Sequence, residues 1–110
     1  MKFLMTVMMV LFVGTAFAKS AAELEGECKQ KKWGSCFELG NSLKAAGKLN
    51  EAAKFFDISC TATHEASCHS LGLMLAFDKT DEEKAEKGKK ALQKACALKY
   101  KPACEDLKNL

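Results

Sequence analysis

The residues best equipped for chemistry in this 110-residue chain are its six cysteines and two histidines. The cysteines stand at Cys28, Cys36, Cys60, Cys68, Cys96 and Cys104, three pairs with seven residues between the members of each. His64 lies inside the middle pair and His69 next to it. Thiolates with imidazoles make zinc sites, a reactive thiol pair makes a redox centre, and paired cysteines can also simply cross-link the chain. Spacing separates these readings. Thiol–disulfide oxidoreductases rely on Cys-x-x-Cys with one lowered pKa, and no two cysteines here are closer than eight positions. The counterparts of His64 in the other two pairs are Lys32 and Tyr100, so the histidines stand outside the recurring pattern. HEASCH at 64–69 also misses the His-Glu-x-x-His spacing of zinc proteases, because Cys68 falls where the second histidine is needed. No metal and no cofactor are expected, and the six cysteines read as structural bridges.

Serine chemistry finds no better footing. No serine is followed three residues later by lysine, as serine β-lactamases require, and there is no Gly-x-Ser-x-Gly elbow. Ser35 and Ser67 precede cysteines at the expected starts of helices, where a hydroxyl caps backbone amides. No catalytic residue is assigned.

The elements that hold these residues follow from the repeat. Cys28 to Cys60 and Cys36 to Cys68 are offset by 32, and Cys60 to Cys96 and Cys68 to Cys104 by 36. SCFELG at 35–40 recurs as SCHSLG at 67–72, and ACEDL at 103–107 begins in a similar way. The four extra residues of the second unit fall between Cys68 and Cys96, an interval that includes the charged stretch 78–83. Apolar residues step by three and four: Cys36, Leu39, Gly40 and Leu43, then Leu49, Ala52, Ala53, Phe56 and Cys60. In the second unit Cys68, Leu71, Gly72 and Leu75 mark one helix, and Ala91, Leu92, Ala95 and Cys96 the next. Pro102 suits the opening of a final helix. The mature chain is therefore expected to be all-α, with two helices per unit and partial helices at both ends.

Cysteines eight apart on one continuous helix would be about 12 Å apart, while a disulfide needs Cα atoms within roughly 4.4–6.8 Å. The chain must turn between them. The repeat then favours Cys28 with Cys36, Cys60 with Cys68 and Cys96 with Cys104, since any other pairing treats equivalent positions unequally. Gly40 and Gly72 inside helices point to close approach of a neighbouring helix.

Met1 and Lys2, the apolar run 3–13 and the small-residue site Ala16-Phe17-Ala18 have the layout of a secretory signal peptide over 1–18. The run is too short for a membrane span, which takes about 20 residues, so no stable membrane insertion is expected once it is removed. A domain at 19–110 with six cysteines suits an oxidising compartment, so a secreted or periplasmic location is expected. The 17 basic residues are all lysine, against 14 acids. Arginine, which supplies bidentate readout of phosphates and guanines, is absent, and nucleic acid is not an expected partner. Lysines along 84–101 alternate with glutamates, with Glu83–Lys87 and Glu86–Lys90 at the spacing of helix ion pairs.

Cys-x-x-Leu-Gly at Cys36–Gly40 and Cys68–Gly72, the Ala95-Cys96 dipeptide and the Cys-x7-Cys linkers together resemble the bacterial cysteine-rich Sel1-like repeat proteins. These are relatives of tetratricopeptide repeats, and GKLNEAAKFF at 47–56 is similar to a tetratricopeptide segment. The resemblance implies an α/α superhelix of about two repeats, 35–60 and 67–96, cross-linked by disulfides. It also implies an exported solenoid, and, from members described as penicillin-binding, a β-lactam-binding protein or weak β-lactamase as the alternative function. The leading expectation is a module that binds an exported protein or peptide, or a cell-wall fragment. Its contact residues are sought along one side of the first helices, at Phe37, Asn41 and Lys44 and at their counterparts His69 and Leu73, with Trp33 on a constrained linker.

Overall fold

A computed structural model describes residues 19–110; the signal-peptide reading at 1–18 lies outside the described residues. Among the described residues there are six helices and no strand: α1 (Ala21–Lys29), α2 (Trp33–Ala45), α3 (Leu49–Thr61), α4 (Glu65–Leu75), α5 (Glu82–Ala97) and α6 (Lys101–Leu107). None is long and apolar enough to cross a membrane. The principal contacts join helices that are consecutive in sequence. The cysteine repeat thus reappears as a repeat of helix pairs.

Three of the turns share one construction. The bridges Cys28–Cys36, Cys60–Cys68 and Cys96–Cys104 join the end of one helix to the start of the next, with Cα–Cα distances of 4.7, 4.5 and 4.7 Å. Three residues beyond the first cysteine of each pair the chain enters the left-handed region, at Lys31 (φ 66°), Thr63 (φ 69°) and Lys99 (φ 68°). The next amide then reaches back five residues: Lys32 N–H donates to Glu27 O, His64 N–H to Ser59 O and Tyr100 N–H to Ala95 O. This hydrogen bond closes a Schellman motif, which satisfies carbonyls left unpaired at a helix end. Glycine is the usual residue at its left-handed position, yet only the turn between α2 and α3 has one, Gly47 (φ 80°). Thr63 is β-branched and pays most for this backbone. Thr63→Gly is therefore expected to stabilise the protein by about 0.5–1 kcal/mol net of the added freedom of the unfolded chain, read as a higher Tm.

Helix packing repeats as well. A Cβ on Gly40 would lie 2.5 Å from the Phe56 ring, and one on Gly72 would lie 2.5 Å from the Leu92 side chain. Each glycine stands four residues after the second cysteine of a pair, and each large side chain four residues before the first cysteine of the next. Phe56 and Leu92 are fully buried in a core with Ala52, Leu71, Ala95 and Ala103. The close approach expected at the two helical glycines is present, and it seats the largest core side chains.

The four-residue insertion goes into both the loop before α5 and the helix itself: the connection 76–81 replaces the shorter 46–48, and α5 has 16 residues where α3 has 13. Asp78 organises the loop: its Oδ1 accepts from Thr80 N–H (2.8 Å), Thr80 Oγ1–H (2.6 Å) and Asp81 N–H (3.2 Å). The Thr80 bonds hold the Asp78 carboxyl below its usual range. Asp81 then caps α5, accepting from Lys84 N–H at 3.1 Å.

Two local expectations are corrected. Ser35 and Ser67 do not cap α2 and α4; the cap positions belong to Lys32 and His64, three residues earlier. Both hydroxyls are buried instead and bond across the turn, where no backbone amide needs them. Lys87 does not pair with Glu83 but reaches across the gap between α5 and α3 to Asp57 at 3.3 Å.

Candidate functional site

Each disulfide is flanked by a second contact between the same two helices, made by the residues just before the paired cysteines. Ser35 Oγ donates to Glu27 Oε2 at 3.1 Å and Ser59 Oγ lies 2.6 Å from Ser67 Oγ, while Ala95 and Ala103 hold the corresponding places in the third pair, both buried. In the middle pair the network continues to His64, whose Nδ1 is 2.8 Å from Ser67 Oγ and 3.3 Å from Ser67 N. Because Nδ1 accepts the backbone N–H, the neutral ring carries its proton on Nε2. A serine hydroxyl within reach of an imidazole is the arrangement of a nucleophile and its base. Here it serves the fold: Ser67 and Ser59 are completely buried, so no substrate carbonyl can reach the hydroxyl, and Nδ1 is engaged in starting α4. Cys60 and Cys68 are consumed in their bridge, and His69 turns away to a different contact.

In the first pair the partner of the serine is a half-buried carboxylate, and it recruits Lys19, whose Nζ lies 2.5 and 2.9 Å from the two Glu27 oxygens. The Lys19 ammonium and the Ser35 hydroxyl hold the Glu27 carboxyl below its usual range. A depressed carboxyl pKa stabilises the fold above the unfolded-state value, and that contribution is lost as pH falls through the folded-state value. Acidification below the ordinary glutamate range is therefore expected to lower the Tm of the wild type more steeply than that of Glu27→Gln. Parallel pH–Tm curves for the two proteins would contradict this.

The sequence-derived contact residues are divided by the fold. Phe37 packs inward, its ring 5.9 Å from Phe56 and 5.2 Å from His64. His69 ties α4 to α6: Nε2 is 2.6 Å from Asp106 Oδ2, and the ring lies 5.2 Å from Tyr100. Trp33 is half-buried as the first residue of α2, and Asn41 is exposed. Lys44 and Leu73 alone come together, on the wall of a groove.

That groove forms because α3 and α5 each pack on α4 but have no principal contact with each other. Its larger part, 390 Å³, is lined at one end by Lys44, Leu49, Leu73 and Met74. A continuation of 200 Å³ reaches Lys54, Asp57, Leu71 and Lys87. Asn50, Ala53, Leu75 and Lys84 border both parts. Leu49 is 54% exposed and Leu73 38% exposed. Leu49, which the helical period assigns to the core stripe, stands instead at the first position of α3, before the stripe reaches the α2–α4 surface. Leu49, Met74 and the lysines of α3 and α5 had no signal as a group in the sequence, since they come from three helices. The apolar end and the lysines match the general build of a binding cleft, apolar walls with a few placed polar groups.

Compared with protein-family models, curated proteins and solved structures, the chain matches none.

Proposed function

We propose that this protein is a non-catalytic interaction module, exported to the periplasm or beyond, whose helix pairs form a short Sel1-like, tetratricopeptide-like superhelix. The observation that carries the reading is the open groove between α3 and α5, where the large apolar residues Leu49 and Leu73 stay exposed beside lysines. Support for the compartment comes from the three bridges, since disulfides persist in oxidising surroundings. Support for the repeat reading comes from the Schellman turns and glycine seats, which recur with the cysteine register. Cross-linking every second turn keeps the groove walls ordered before a partner arrives, and preorganisation reduces the ordering cost of binding. The partner is an exported protein or peptide; a cell-wall fragment would find few acceptors among the apolar residues of the groove.

The test compares wild-type protein with Leu73→Asp, both oxidised and immobilised, against the exported-protein fraction of the source organism. Leu73 is exposed, so the variant is expected to keep its Tm within about 1 °C, consistent with the small effect of surface substitutions, while losing the partner that the wild type retains. A partner retained equally by both would place the contact surface elsewhere. Turnover of a chromogenic β-lactam that vanishes in Asn41→Ala, an exposed position, would replace the binding reading with a hydrolytic one.

A further inference from the structure

Charge is distributed unevenly around the groove. Both carboxylates on its border are already engaged: Asp57 pairs with Lys87 at 3.3 Å, and Asp78 accepts three hydrogen bonds within its own loop. Lys44, Lys54 and Lys84 have no carboxylate within ion-pair distance among the described residues. With four lysines (Lys44, Lys54, Lys84 and Lys87) against these two carboxylates in its lining, the groove presents a net positive charge over an apolar floor. It is also directional. Leu49, Leu73 and Met74 gather at one end, Lys54 lies toward the other, and Lys84 stands between. Along α3 the groove runs from Leu49 to Asp57, eight residues or about 12 Å of helix axis. An extended peptide covers that length in about four residues.

Resting on the interaction-module reading, we infer that the groove takes an acidic peptide segment: a bulky apolar side chain seated against Leu49 and Leu73, followed two to four residues later by carboxylates that meet Lys84 and Lys54. The apolar anchor supplies contact area. The lysines choose the partner, because complementary charge contributes more to selection and approach than to raw affinity. Asn50, exposed next to Leu49 on the α3 wall, has a carboxamide suited to the peptide backbone, which offers a donor and an acceptor at each residue.

The experiment is an amide-resonance titration of the full oxidised protein with two synthetic hexapeptides, Phe-Ser-Glu-Ala-Glu-Ser and its counterpart with glutamine in place of both glutamates. The expected result is movement of resonances along α3, the end of α4 and the start of α5, with the glutamate peptide binding about tenfold tighter at low salt. That advantage should shrink as salt is raised. The Lys54→Glu/Lys84→Glu double variant is expected to lose the same factor. Both positions are exposed, and a glutamate at 84 suits the first turn of α5, so an unchanged Tm is the control for folding. Equal binding of the two peptides, sensitive to Leu73→Asp, would overturn the acidic selection and leave the groove as a binding surface. If neither peptide moved groove resonances, the inference would be overturned as well, and the partner-retention comparison with Leu73→Asp would then decide the module reading on its own.

Discussion

Reduction of the three disulfides is expected to remove the cooperative thermal transition of this protein. Each bridge closes a nine-residue loop, for which the chain-entropy model gives about 2.5 kcal/mol. Three bridges in independent loops amount to about 7–8 kcal/mol, comparable with the whole stability of a small domain. The core offers little in reserve: among its fully buried side chains only Phe56 and Leu92 are large. The bridges also do more than close loops. Cys28, Cys36, Cys60 and Cys68 are themselves buried, and the left-handed residues Lys31, Thr63 and Lys99 are held by the turns the bridges close. Removing the middle bridge alone, as Cys60→Ala/Cys68→Ala, is expected to cost about 2.5 kcal/mol, equivalent to a Tm lower by ~10–20 °C in a domain of this size. Calorimetry with and without reductant makes the comparison. A reduced protein that melted within a few degrees of the oxidised one would mean that helix packing alone supports the fold.

The second large effect is expected at a single methyl group. A Cβ on Gly88 would stand 2.2 Å from Ala76 N and 2.6 Å from Leu75 C, atoms of the backbone that ends α4. A flexible side chain could move aside; a helix terminus cannot without shifting α4 against α5. Gly88→Ala is thus expected to destabilise by about 2–3 kcal/mol, the cost of overpacking a rigid contact, even though alanine is the better helix former by up to about 1 kcal/mol. Gly26 provides the opposite case. It is mid-helix in α1 with no neighbouring atom within 4 Å of the added carbon, so Gly26→Ala is expected to stabilise by about 0.5–1 kcal/mol. Denaturant unfolding of the two variants would show opposite signs. Two changes of the same sign would mean that helix propensity, rather than the α4–α5 approach, governs these positions.

Much of the architecture was legible because it is local. Eight-residue cysteine spacing, helical apolar periods and two helical glycines concern residues close in the chain or related by the repeat. Their consequences, the bridges, the helix pairs and the seats for Phe56 and Leu92, are those the spacing predicts. The turn mechanism was not legible, because no glycine stands at 31, 63 or 99 to announce a left-handed residue. Ser35 and Ser67 carried the residue type of caps but sit one turn inside their helices, where burial gives them a different bond. Gly88 stood in a lysine-rich stretch that reads as a solvated face, and nothing near it in sequence foretells the end of α4 pressing against it.

The same division applies to the six cysteines and two histidines with which chemistry was first sought. Spacing was sufficient to read the cysteines as three local staples and the protein as a stapled array of helices, because a disulfide's reach is short compared with the rise of eight helical residues. The fate of the histidines was a tertiary matter: His64 begins a helix over a buried serine pair, and His69 reaches a carboxylate 37 residues away. The groove was also decided there. Lys44, Leu49, Leu73 and Lys84 belong to four helices, and they share a surface only because α3 and α5 lean on α4 with no principal contact to each other.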